Sequence, residues 1–83
     1  MKITSRYFAS IREAFGVASE SLETSAHTLA QLREELMARP GAAGEALARG
    51  RAVRMALNQV MSDESAALID GCEIAFFPPV TGG

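Results

Sequence analysis

One cysteine, Cys72, and one histidine, His27, are all that the 83 residues hold of thiol and imidazole groups. A lone thiol closes no internal disulfide, and one Cys with one His leaves no ligand set for structural zinc. A chain without disulfides suits a reducing cytoplasm, the expected setting. Charge of one sign is also lacking. Eight Lys and Arg stand against ten Asp and Glu, for a net charge of -2 and a pI near 5.3, with the basic residues scattered. That excludes an electrostatic nucleic-acid binder. No apolar run approaches the length needed to span a bilayer. The opening residues, Met1 to Phe8, alternate polar and apolar side chains instead of forming a signal peptide, so no membrane association is expected. No Ser, His and acid combination stands at a recognised spacing, and the chain offers no catalytic set of its own.

What is present is enough for one small domain spanning 1–83. Hydrophobic residues make up 48% and charged residues 22%, ordinary globular usage. A domain of this size buries a modest core, so a deep cofactor cavity is not expected. There is no internal repeat, linker or low-complexity segment.

The order of elements follows from periodicity and turn chemistry. Lys2 to Phe8 reads as a strand, with Ile3, Ser5 and Tyr7 on one face and Thr4, Arg6 and Phe8 on the other. Ser10-Ile11-Arg12-Glu13 has capping-box spacing and predicts a short helical turn ending near Gly16. Val17 to Thr24 suits an edge strand paired with the first. Thr28-Leu29-Ala30-Gln31 repeats the capping pattern and opens the main helix, Leu29 to Arg39, which turns Leu29, Leu32 and Leu36 to the core and Arg33, Glu34 and Glu35 to solvent. Pro40-Gly41 ends it, and Ala42 to Arg49 can add a second short helix. Ala52 to Asn58 is a half-buried strand, Asn58-Gln59 a turn, and Val60-Met61 a return. Asp70-Gly71 is a turn before Cys72 to Phe77, the most strand-like run. Cys72 at its start reads as a small packing residue, and His27 before the helix cap as solvent-exposed. Ser62 to Ile69 is too short for the second long helix of a ferredoxin-like sandwich. The prediction is an α+β domain with the β-grasp architecture, a mixed sheet curled around one main helix.

The C-terminus carries the chemistry. Pro78 and Pro79 stop the last strand and hold the exit stiff, while Gly82 and Gly83 have no side chain to obstruct a narrow channel. The expected result is an arm, residues 78–83, with a flexible Gly-Gly end and a carboxylate at its tip. No Cβ stands beside the carbonyl carbon of Gly83, so an activating enzyme can approach it closely. At a glycine usage of roughly 7%, two final glycines arise by chance about once in 200 chains. Position strengthens the pair, because the arm leaves directly from the most strand-like segment. Phe76 and Phe77 alternate faces, so one can enter the core while the other forms, with Pro78 and Pro79, an apolar docking base.

The segment Asp70-Gly71-Cys72-Glu73-Ile74-Ala75-Phe76-Phe77-Pro78-Pro79-Val80-Thr81-Gly82-Gly83 resembles the C-terminus of the small, sulfur-carrying subunit of molybdopterin synthase, the ubiquitin-like MoaD family. Phe-Phe-Pro-Pro-Val-Thr-Gly-Gly is its most distinctive stretch. Arg6 to Gly16 resembles the family's opening strand and turn, and Ala56-Leu57-Asn58-Gln59 its middle strand and turn. Two departures are visible: Cys72 where the family usually has an acid, and a more polar first strand at Ser5-Arg6. The resemblance implies a sulfur carrier of molybdenum cofactor biosynthesis, with Gly83 the reacting residue and Val80, Thr81, Gly82 and Gly83 the inserted tail. Phe76, Phe77, Pro78 and Pro79 would contact the partner. It implies a ubiquitin-activating-like adenylating enzyme that spends ATP on the Gly83 carboxylate, and a sulfur donor protein that makes the thiocarboxylate. It also implies a larger synthase subunit, in an expected heterotetramer, where the sulfur passes to cyclic pyranopterin monophosphate. No cofactor and no metal would bind this chain itself. The alternatives are the sulfur carrier of the thiamine pathway or a ubiquitin-related modifier and, from another class, a β-grasp binding module whose Gly-Gly end is incidental.

Overall fold

The computed structural model describes residues 1–79. Val80, Thr81, Gly82 and Gly83, named above as the inserted tail, lie outside the described residues.

Five strands form one mixed sheet: β1 (Lys2–Tyr7), β2 (Ser19–Glu23), β3 (Arg54–Leu57), β4 (Val60–Ser62) and β5 (Glu73–Phe77), in the order β2-β1-β5-β3-β4. β1 and β5 run parallel, with Thr4 opposite Glu73 and Tyr7 opposite Phe76, and the remaining pairs are antiparallel. The strand richest in aromatic and β-branched residues is thus the central one, with neighbours on both sides. β2, mostly polar, takes an edge as its composition predicts.

The alternation in β1 resolves to one buried face. Ile3, Ser5 and Tyr7 point inward and are at most 2% exposed. With Ile74, Phe76 and Met55 they meet the Leu29, Leu32 and Leu36 stripe of helix α2 (Leu29–Met37). The Ser5 hydroxyl finds no hydrogen-bond partner among the described residues, an unfavourable feature that the surrounding apolar burial offsets. Cys72 is buried in the same core.

Helix α1 (Ala9–Phe15) departs from the predicted capping box. Its N-cap is Phe8, with no side-chain cap, and Ser10 lies inside the first turn. The chain turns into the helix immediately after β1, and the Phe8 carbonyl already accepts from Ile11 and Arg12. Ala9 takes a left-handed φ of 52° to make that corner. The second capping pattern does form. Thr28 accepts from the Gln31 amide at 3.2 Å, but the Gln31 side chain reaches one residue further back, to the amide of His27. Exposed His27 is where the sequence placed it.

Helix α2 stops at Met37, two residues before the predicted Arg39. Released from the helix, Arg39 forms a bidentate pair with Glu20 of β2 at 2.7 and 3.1 Å. Glu20 also accepts from the Tyr7 hydroxyl at 2.6 Å. Burial, reinforced by the Glu20 carboxylate, pushes the Tyr7 hydroxyl far above its ordinary range. Partial burial alone would lift the Glu20 carboxyl, but hydrogen bonds from Arg39 and Tyr7 outweigh it and hold the group below its usual value. A carboxyl lowered on folding adds stability that is complete above its unfolded pKa and is lost as pH falls through the lowered folded value. Glu20→Gln is therefore expected to melt below the native chain at neutral pH, and the two melting temperatures to converge in acid. A gap that persists below the carboxylate range sinks the assignment.

Arg33 corrects the sequence reading outright. It is buried, not on a solvated helix face, and only 6% exposed. Its guanidinium donates to the carbonyls of Leu47, Ala48 and Arg51 at 2.8, 2.9 and 3.1 Å, closing the end of helix α3 (Ala42–Ala46). Glu34 and Glu35 stay exposed as expected. Gly44 of α3 packs so closely that a Cβ there would stand 2.1 Å from the Arg39 carbonyl oxygen.

Candidate functional site

β5 delivers the chain to the site. It runs through the sheet centre and ends at Phe77, and Pro78 and Pro79 continue from it half-buried. The turn that starts it uses Gly71 at φ 84°, with the Asp70 carboxylate accepting from the Lys2 amide at 2.7 Å. Asn58, in the left-handed turn with Gln59, clamps the same end: its side-chain oxygen accepts from the Glu73 amide and its own amide donates to the Glu73 carbonyl.

The two phenylalanines separate cleanly. Phe76 is wholly buried, stacked 6.2 Å from Tyr7, and cannot be the partner contact assigned to it from sequence. Parity along β5 decides this, since Ile74 and Phe76 face α2. Phe77 takes the opposite face, half-buried, with its ring edge-on to Phe8 at 6.2 Å and 87°. Phe8 is 39% exposed, and the Arg6 guanidinium lies 5.2 Å over its ring. Arg54 stands opposite Phe77 across β3 and β5, and Ala56 opposite Ala75 and Met61. The sheet face away from α2 is thus apolar along its middle, Phe8, Phe77, Ala75, Ala56 and Met61, and flanked by Arg6 and Arg54. Sequence reading missed Phe8 and Met61 as part of this face. The signal for Phe8 was its parity with Thr4 and Arg6; for Met61 only the pairing register with Ala56 reveals it.

Behind the exit, a cleft of about 230 Å³ lies between α1 and α3, lined by Ile11, Ala14, Ala42, Ala46 and Pro78 with Glu45 and Arg51 at its margin. Ser10 also lines it, with no hydrogen bond to Glu45 among the described contacts. Among the described residues no cluster of His, Cys, Asp or Glu could hold a metal, and no helix is long and apolar enough to cross a membrane.

Residues 5–83 match the ThiS family. This chain belongs to that family. It is 40% identical, over 93% of its length and 94% of the relative's, to the molybdopterin synthase sulfur carrier subunit of Haemophilus influenzae. Among solved structures it is similar to a chain of the Helicobacter pylori complex of subunits 1 and 2 of molybdopterin-converting factor, with a TM-score of 0.70, 30% identity and full coverage of both chains. SAMP1 from Haloferax volcanii shares the fold over the whole of both chains, with a TM-score of 0.77 and 22% identity. The β-grasp expectation holds, and so does the resemblance to the sulfur-carrying subunit. As a ThiS-family domain, the chain has its family match running through the Gly-Gly end, so the match includes the arm as well as the sheet that launches it.

Proposed function

We propose that this ThiS-family chain is the sulfur-carrying small subunit of a molybdopterin synthase. One observation carries the reading: the central strand runs without a linker into Pro78-Pro79 and the Gly-Gly end, beside an open apolar sheet face, in a chain without a catalytic set among its described residues. A partner adenylating enzyme activates the Gly83 carboxylate with ATP. A donor's sulfur then replaces the AMP oxygen, leaving a thiocarboxylate. Its pKa lies below the roughly 8.5 of a cysteine thiol, so it is ionised at neutral pH and nucleophilic without a neighbouring base. A larger subunit covers the Phe8 and Phe77 face and receives the arm, and the sulfur passes there to a pyranopterin precursor. The buried, unpaired thiol of Cys72 fits a reducing cytoplasm.

Intact mass after incubation with the adenylating enzyme, ATP and a sulfur source tests the first half of the reading. An oxygen-to-sulfur shift at the C-terminus is expected, and its absence rejects the carrier role. Incubating the loaded chain with a synthase large subunit and the pyranopterin precursor tests the second half. Loading without molybdopterin formation would favour the other carriers of the same tail chemistry, the thiamine-pathway sulfur carrier or a ubiquitin-related modifier.

Phe77→Asp places a charge at the centre of the open face while leaving Phe76 and the core intact. It is expected to weaken binding to the large subunit by about 2 kcal/mol, roughly thirtyfold, as truncation of an aromatic interface anchor does. Calorimetric titration reads the change. An unaltered affinity would move the interface elsewhere.

A further inference from the structure

The chain holds seven arginines and one lysine, Lys2. The basic residues around the arm's base, Arg6, Arg51 and Arg54, are all arginine. This matters because an activated C-terminus is an acylating agent. A primary amine can attack the carbonyl carbon of an acyl adenylate; a carbon–nitrogen bond forms, the bond to AMP breaks, and the amine proton passes to solvent. The copy is then spent, with its C-terminus locked in an amide. Lysine releases its proton readily enough to act as a nucleophile, whereas a guanidinium stays protonated at any pH a protein meets.

The fold then places the two primary amines far from the base of the arm. β1 and β5 run parallel, so Lys2 lies level with Gly71, and Phe77 comes six residues further along β5. At the rise of a strand this is about 20 Å. Pro78 and Pro79 carry the chain on from there, and the four residues after them can span at most about 14 Å. The Met1 amine is held at the same distant end, donating to the Thr24 carbonyl at 2.8 Å.

We propose that this chain is built so that its activated C-terminus cannot acylate itself: amines are confined to the pole opposite the arm's base at Pro78 and Pro79, and arginine supplies every fixed positive charge near that base. The inference rests on the carrier reading for its purpose, but its chemistry belongs to the chain alone and can be tested apart from any enzyme. A tethered amine meets the acyl carbon at an effective concentration on the order of mM, far above the micromolar level at which two copies meet. One lysine within reach should therefore be enough to capture the tail.

The test uses the full chain as a C-terminal thioester, made by intein cleavage with a small thiol and held at mildly alkaline pH and micromolar concentration. The native chain is expected to give only the free acid. Arg54→Lys and Arg51→Lys, each confirmed as folded by circular dichroism, are expected to give a species lighter by one water, with the internal amide mapped to the new lysine by peptide digestion. An amide to Met1 or Lys2 within a native copy overturns the proposal, and so does free acid alone from both folded lysine variants. Hydroxylamine trapping of native chain treated with adenylating enzyme and ATP separates the two readings. Failure to form the hydroxamate rejects the carrier reading, whereas the thioester result bears on self-acylation only.

Discussion

Deleting Gly83, or adding one residue after it, is expected to abolish sulfur loading while leaving the circular dichroism spectrum of the domain unchanged. Pro78 and Pro79, half-buried at the end of β5, set the point from which the last four residues start. One residue more or fewer displaces the reacting carboxyl by about 3.5 Å. Acyl transfer requires the reacting atoms to stand about 3–3.5 Å apart, and a misplacement of about 1 Å can cost on the order of a hundredfold in rate. An added residue also puts a different carbon at the terminus and buries the Gly83 carboxyl in a peptide bond. The core is made of β1, β5, α2 and the segments packed on them, none of which the change touches. Intact mass reads the loading and circular dichroism reads the fold. Sulfur incorporation that survives either change would mean that the Gly-Gly end is incidental and the chain is a binding module.

The second large effect is structural. Arg33→Met is expected to destabilise the domain by about 3–5 kcal/mol, since it leaves three carbonyls near the end of α3 without the charged donor that satisfies them. Leaving a buried polar group unpaired is what makes truncation of such a residue severe, and small domains have only about 5–15 kcal/mol in total. Met restores part of the packing volume, so the loss isolates the hydrogen bonds. The Arg33 carboxylate neighbour, Glu64 at 3.6 Å, is more than a third exposed and contributes little by comparison. Denaturant midpoints measure the loss; a change under about 1 kcal/mol would mean that water replaces the guanidinium. Because α3 forms one wall of the cleft lined by Pro78, loosening it should also loosen the base of the arm.

The contrast between Arg33 and its neighbours shows where sequence reasoning stops. Leu29, Leu32 and Leu36 were legible as the core stripe because helical periodicity is a local property. Arg33 lies next to that stripe, and its type suggests solvent. It is buried because α3, several turns of chain later, brings carbonyls that need a donor, and no local pattern encodes that meeting. Ser10 failed as a cap for a similar reason: the chain enters α1 two residues early, fixed by the Phe8 carbonyl and by the amide that Phe8 donates to Phe76 across the sheet.

By itself the sequence determined the order of elements, the turns at Gly16, Asn58-Gln59 and Asp70-Gly71, and the central aromatic strand with the two prolines that end it. These rest on backbone conformations and side-chain alternation that a few neighbouring residues settle. Only the tertiary structure decided which of Phe76 and Phe77 is buried, that Phe8, Phe77 and Met61 share one open face, that Arg33 belongs to the interior, and that Lys2 and the Met1 amine stand at the pole away from Pro78 and Pro79. Each of these depends on strand pairing and register between segments distant in the chain, where a shift of one residue exchanges inside for outside.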